Sequence, residues 1–314
     1  MTPLGRKVQN ALDEARILIL GAQVLLGFGL RSTLETRFDA LPRAWQWARL
    51  GSIALLLAAL VLLIAPGPFH QIVERGRDTA RLHRFTLRAI EAALAPFAIA
   101  IAVDFAGAGR QLYGVRAGIV AGAAAAAVAL GSWYGVELLA LARRRGEKGA
   151  AMQEQAAQTS IHDRIRHVLT EARVVLPGAQ ALLGFQLATM LLDGFARLPR
   201  SSQAIHFASL SLIALATIWL IAPAAFHRIV ERGEDTERFH RVASRLLLAA
   251  LVPLALGIAG DVFVVARKVS GSTGAAAAFA LAVAACALGW WFGVPLAAAR
   301  RPRHGWWAGR LRTN

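Results

Sequence analysis

Between Ala48 and Pro66 the chain reads ARLGSIALLLAALVLLIAP, with a single charged residue, Arg49, near its start. About 20 apolar residues at 1.5 Å rise per residue cross a ~30 Å hydrocarbon core, so this stretch reads as a membrane-spanning helix. Similar runs recur along the 314 residues, separated by arginine-rich stretches. Only 17% of the residues are charged, against the quarter or so expected of a soluble chain. The chain is therefore expected to be an all-α, polytopic integral membrane protein.

The net charge of +16 does not point to nucleic acid, because the basic residues are interleaved with apolar spans and form no single basic domain. Contact with the lipid bilayer and its anionic headgroups, and control of topology, account for it more economically. One cysteine, Cys286, excludes an internal disulfide framework. The opening MTPLGRKVQNALDEAR is polar and charged, so no cleavable signal peptide is expected.

The chain also repeats itself. IAPGPFHQIVERGRDT (64–79) returns as IAPAAFHRIVERGEDT (221–236), 157 positions later. The same shift carries EARILILGAQVLLGF (14–28) onto EARVVLPGAQALLGF (171–185), and Pro96 and Asp104 onto Pro253 and Asp261. A duplication of this length is an architectural statement. Four candidate spans fall in each half, near 17–34, 48–66, 86–106 and 115–141, then near 174–192, 205–223, 245–266 and 274–299. The implied organisation is a first four-helix repeat at 1–142, a linker at 143–160, a second repeat at 161–300 and a basic tail at 301–314. Amphipathic helices lying on the membrane surface are expected to lead into the first span of each half, one of them SIHDRIRHVLTEAR (160–173).

With the amino terminus inside, 25 of the 35 lysines and arginines fall on the cytoplasmic side and 10 outside. The positive-inside rule then places both termini, the linker and both copies of the repeated loop in the cytoplasm. Four spans per half is an even number. The expectation is eight transmembrane helices in two parallel four-helix repeats, related by a pseudo-two-fold axis along the membrane normal.

The pattern EAR-x-x-LPGAQ-x-LLGF, followed by LP, APAAFHR and PLALG-x-x-x-D, resembles the bacterial membrane family called domain of unknown function 6328. The second half carries it at Pro177 to Gln180, Ala222 to Arg228, Pro253 to Gly257 and Asp261; the first departs at Leu20, Gly67, Pro68 and Gln71. The chain thus looks like two tandem copies. The resemblance implies four-helix units in the bacterial plasma (inner) membrane, of unestablished activity; a few members carry the label sodium:proton antiporter.

Asp104 and Asp261 are the leading candidate residues. Each follows an arginine (Arg88, Arg245) by sixteen positions, about 24 Å of helix, which puts it near the outer edge of the hydrocarbon. A carboxylate there meets the unfavourable end of the helix dipole and needs a partner. The alternatives are a bound cation or proton, and a structural contact with Arg31, Arg267 or nearby backbone. Gln23 and Gln180 either bond to facing helices or line a polar path near the pseudo-axis. In the repeated loop, His70 and Glu74 with Arg75, and His227 with Arg228, Glu231 and Arg232, form a second set. His and Glu four apart suit a helical face, but without HExxH or paired cysteines no metal is expected. GIVAG (118–122) reads as a close helix contact, and Trp45, Trp47, Trp133, Trp290 and Trp291 as interfacial anchors.

No nucleophile elbow, phosphate loop or dinucleotide fingerprint is present, so neither an enzyme nor a cofactor is expected. Two functions remain. One is a small-ion or small-solute transporter, with cation/proton exchange the leading form. The other is a non-catalytic scaffold or sensor presenting two basic loops to lipid or a partner protein. Either leaves room for a homo-oligomer.

Overall fold

The structure, a computed structural model, describes residues 3–131, 161–229 and 236–300. All the regular elements in them are helices. In the first half these are α1 (Pro3–Ser32), α2 (Thr36–Asp39), α3 (Arg43–Ile64), α4 (Pro66–Ile72), α5 (Ala80–Tyr113) and α6 (Val115–Leu130). In the second they are α7 (Ile161–Thr189), α8 (Asp193–Ala196), α9 (Arg200–Ile229), α10 (Glu237–Ser270) and α11 (Thr273–Leu288), then a π-helical turn (Gly289–Gly293) and α12 (Val294–Arg300). Both ends of α2 and of α5 recur in α8 and α10 at the 157-residue shift. At these elements the sequence repeat carries matching helix boundaries.

Among the described residues six segments are long and apolar enough to cross a membrane: Ala15–Ser32, Arg43–Ile72, Ala80–Gln111, Arg200–Pro223, Glu237–Ser270 and Thr273–Arg300. Helix α6, at 16 residues, is shorter, and the span expected at 115–141 runs beyond the described residues. Helix α7 is not among the six; its first half is charged, and Pro177, Gln180 and Gln186 interrupt the rest.

Local chemistry sets the boundaries. The repeated loop ends in Thr79 and Thr236, whose hydroxyls accept hydrogen bonds from Leu82 N (3.1 Å) and Phe239 N (3.0 Å). Each threonine is the N-cap of the long helix that follows. Helix α10 stops at Gly271, which takes φ = 71°, a left-handed value that favours glycine. Pro66 begins α4 and so interrupts α3, whereas Pro223 lies inside α9. The two prolines therefore act differently. The amphipathic segments are also not separate surface helices: 3–32 and 161–189 are each one continuous helix. Nothing in either sequence breaks the helix between its charged and apolar parts, because Pro177 is accommodated inside α7.

Helices α1 and α7 pack side by side where the halves meet, with Phe28 and Phe185 ring to ring at 4.5 Å. These two phenylalanines occupy equivalent positions. One apolar cluster, including Ile19, Leu26, Ile53, Leu60, Leu182 and Leu254, runs through both halves. The halves are joined again at one end, where Lys268 pairs with Asp39 at 3.0 Å and Arg43 donates to Val269 O at 2.8 Å. At the opposite end Trp291 is buried and donates from Nε1 to Val61 O at 3.0 Å. Trp291 is therefore a tie between halves rather than an interfacial anchor. The π turn re-aims residues of a helix in this way. Trp47, by contrast, is half exposed.

Between α5 and α6 the small residues act as expected. A Cβ on Gly118 would stand 2.6 Å from Ala106 O, and one on Gly122 would stand 2.8 Å from Ala102 O. Backbone has no rotamer with which to yield. Gly118→Leu is expected to separate the two helices and to cost about 3 kcal/mol or more, the upper range for overpacking. Thermal unfolding in detergent measures this, and an unchanged midpoint would exclude the contact.

Candidate functional site

Asp104 and Asp261 each face a cationic or protonatable side chain on the preceding long helix, and the pairing is the same in both halves. Asp104 on α5 is ion-paired with Arg49 on α3 and accepts a hydrogen bond from Ser52 Oγ at 2.9 Å. Arg49 also donates from Nε (3.1 Å) and Nη2 (2.9 Å) to Ser32 Oγ. Asp261 on α10 lies with Oδ1 3.1 Å from His206 Nδ1 on α9. Residue 206 is the 157-shift equivalent of residue 49. Arg31 and Arg267, the partners expected from sequence, are engaged elsewhere: Arg31 with Glu35 at 3.4 Å, and Arg267 with the hydroxyls of Ser201 (2.7 Å) and Ser202 (3.3 Å). Both sit nearer the helix ends than the acids do.

The surroundings of the two pairs differ. Asp104 is only partly covered, with its side chain 22% exposed, and opens on a cleft of about 560 Å³ between the α1–α3 region and α5. Asp104 does not face a closed interior, because among the described residues no helix covers its cleft. Asp261 and His206 are each 3% exposed. Gln186 on α7 completes the second group, donating from Nε2 to Asp261 Oδ2, while its own backbone oxygen lies 3.2 Å from His206 Nε2. Phe195 covers the imidazole edge-on at 5.0 Å between ring centres.

This geometry constrains where the imidazole hydrogens lie. A carbonyl oxygen only accepts, so His206 Nε2 carries hydrogen toward Gln186. Nδ1 faces Asp261 Oδ1 at 3.1 Å, and a proton placed between them gives either imidazolium and carboxylate or imidazole and carboxylic acid. The Arg49–Asp104 pair has no such choice, since a guanidinium stays charged. A cavity of about 20 Å³ beside the second pair reaches Thr189 and Arg31, enough for one water. Gln186 Oε1 has no hydrogen-bond partner among the described residues.

The remaining candidates scatter. Gln23 is fully buried against Gly178, and neither atom of its amide is hydrogen-bonded among the described residues. Gln180 is exposed. The two glutamines do not line a shared path, because α1 and α7 present different faces at that level. His70 and Glu74 are buried on and just after α4, and Arg75 is exposed at φ = 52°. His227 and Arg228 belong to the last turn of α9, and Glu231 and Arg232 lie outside the described residues. Among the described residues no three His, Cys, Asp or Glu side chains form a metal-sized group.

His206, Arg49 and Gln186 were not singled out from sequence. Applying the shift to Arg49 returns His206, a signal that was available. Gln186 faces no counterpart of its own kind, since the shift returns Gly29.

Comparison with curated proteins and with solved structures finds no match. The model of the family of unknown function DUF6328 matches twice, over residues 2–137 and 154–295. The chain belongs to that family and carries two tandem copies of it.

Proposed function

We propose that this tandem DUF6328 protein is a proton-linked small-ion transporter that works by cation/proton exchange, with His206 and Asp261 as its proton-carrying pair. The observation that carries the reading is a buried imidazole–carboxylate pair, 3.1 Å apart, beside a water-sized cavity. Ionisable groups inside membrane helices are costly and mark ion or proton pathways. Loss of the shared proton leaves a neutral imidazole beside a carboxylate, a buried net charge of −1 that favours entry of a small cation. In the first half Arg49 permanently neutralises the equivalent acid. One half exchanges and the other braces.

The membrane arrangement belongs to the same proposal. It has eight spans in two parallel four-helix repeats about a pseudo-two-fold axis along the membrane normal, both termini cytoplasmic, in the bacterial inner membrane. The meeting of corresponding ends at Asp39–Lys268 and Arg43–Val269 supports one orientation for both halves. The arginine-rich loops support the orientation of the whole. A second reading, a scaffold presenting basic loops, has in its favour the exposed Arg75 and Arg77 on the tight turn after α4.

The test is purified protein in liposomes enclosing a pH-sensitive dye. An inward gradient of sodium or potassium is expected to drive internal alkalinisation that protein-free liposomes lack. Silence under every monovalent-cation gradient, in either direction, would end the transport reading.

A further inference from the structure

The cleft in front of Asp104 has a composition that exchange at His206–Asp261 does not use. Its carboxylates are already engaged, Asp104 by Arg49 and Glu35 by Arg31. Two guanidiniums remain. Arg37, on the short helix α2, is exposed along the cleft and has no carboxylate partner among the described residues. Arg110, in the last turn of α5, lies over the Trp45 ring at 5.1 Å, and its Nε is buried without a hydrogen-bond partner. Stacking on tryptophan orients the guanidinium, and its Nε has no acceptor among the described residues. Phe38, Leu41 and Val103 contribute apolar lining to the same cleft. At about 560 Å³ the space is of the size that holds a small organic ligand.

We infer that this cleft is a binding site for a phosphate oxyanion borne on an apolar group, held by Arg37 and Arg110 with its apolar part along Phe38, Leu41 and Val103. Arginine pairs suit phosphate because the planar fork presents parallel N–H donors to two oxygens at once. Arg49 and Asp104 also line the cleft and neutralise each other there. The equivalent place in the second half is closed, since Gly194, at the position of Arg37, is covered by the backbone of Leu34. One site per chain is therefore expected. It goes beyond the exchange reading and does not depend on it.

Native mass spectrometry of the full chain released from detergent tests this, with phosphatidylglycerol, phosphatidylcholine and inorganic phosphate as separate probes. Phosphatidylglycerol is expected to bind in a single tight step and phosphatidylcholine weakly, because its headgroup carries no net charge. Arg37→Gln with Arg110→Gln is expected to weaken phosphatidylglycerol about tenfold or more, the scale of losing charge-assisted hydrogen bonds. Should inorganic phosphate bind as tightly as the lipid and with the same arginine dependence, the oxyanion site stands and its source is a soluble phosphate. Should the double variant bind phosphatidylglycerol like the parent, the site is overturned. If Arg110→Gln fails to fold, Arg37→Glu alone decides, since Arg37 is exposed: charge reversal there must abolish the tight step, and an unchanged step overturns the proposal.

Discussion

Asp261→Asn is expected to abolish cation-driven proton movement in liposomes while leaving the folded protein within about 1 kcal/mol of the parent. The amide keeps the shape of the carboxyl. Its oxygen still accepts from Gln186 Nε2, and its NH2 donates to the lone pair of a neutral His206 Nδ1, whose Nε2 continues to face Gln186 O. His206 and Gln186 each keep a polar neighbour, so the usual penalty of about 3–5 kcal/mol for orphaning one member of a buried ion pair does not arise. Only the shared proton is lost. Asp104→Asn should behave in the opposite way. It removes the carboxylate from Arg49, which cannot become neutral, and a charge-assisted hydrogen bond is worth about 1.5–3 kcal/mol. Stability falls and proton movement persists. Parallel flux and thermal-unfolding measurements on both variants decide it, and equal flux in parent and Asp261→Asn protein would remove the pair from the mechanism.

These opposed expectations follow from a pairing that the sequence contained only in part. The two acids were legible because duplication marked them and because an acid within an apolar span is costly. In the sequence, Arg31 and Arg267 are the basic residues that stand out near the same helix ends as the acids. The structure uses Arg49 and His206, one to two turns into α3 and α9, where helix-to-helix register decides what faces what. That register comes from close contacts between backbones, such as Gly257 against Ser209 O, and no periodicity within one helix reveals it. The helical class and the duplicated element boundaries were legible for the converse reason. They follow from local signals, in apolar run lengths, Thr79 and Thr236 as caps, and Gly271 as a stop. The unlike burial of Gln23 and Gln180 was not legible, since equivalent residues differ only through what the other half places against them.

The contact at Gly194, which makes the halves unlike, is expected to tolerate substitution poorly. Gly194 sits on α8 with the carbonyl of Leu34 so close that an added Cβ would stand 1.7 Å from its oxygen. Around it Leu34, Phe195 and Val264 form a small apolar cluster that joins the α1–α2 turn to the second half. The opposing atom is backbone at a turn, and Leu34 N is itself held by Arg31 O at 3.0 Å. A methyl group can enter only if α8 and the α1–α2 turn move apart, which would unseat Phe195 from His206. Gly194→Ala is therefore expected to cost about 3 kcal/mol or more, and Gly194→Arg, which copies the first half's own residue, to abolish the folded protein. The reciprocal change, Arg37→Ala, removes an exposed side chain and should shift stability by no more than about 0.5 kcal/mol. Unfolding midpoints of the three variants in one detergent give the comparison. Equal tolerance at 37 and 194 would mean that Leu34 does not close the second half, and the pair at His206 and Asp261 would then be as open to solvent as Asp104.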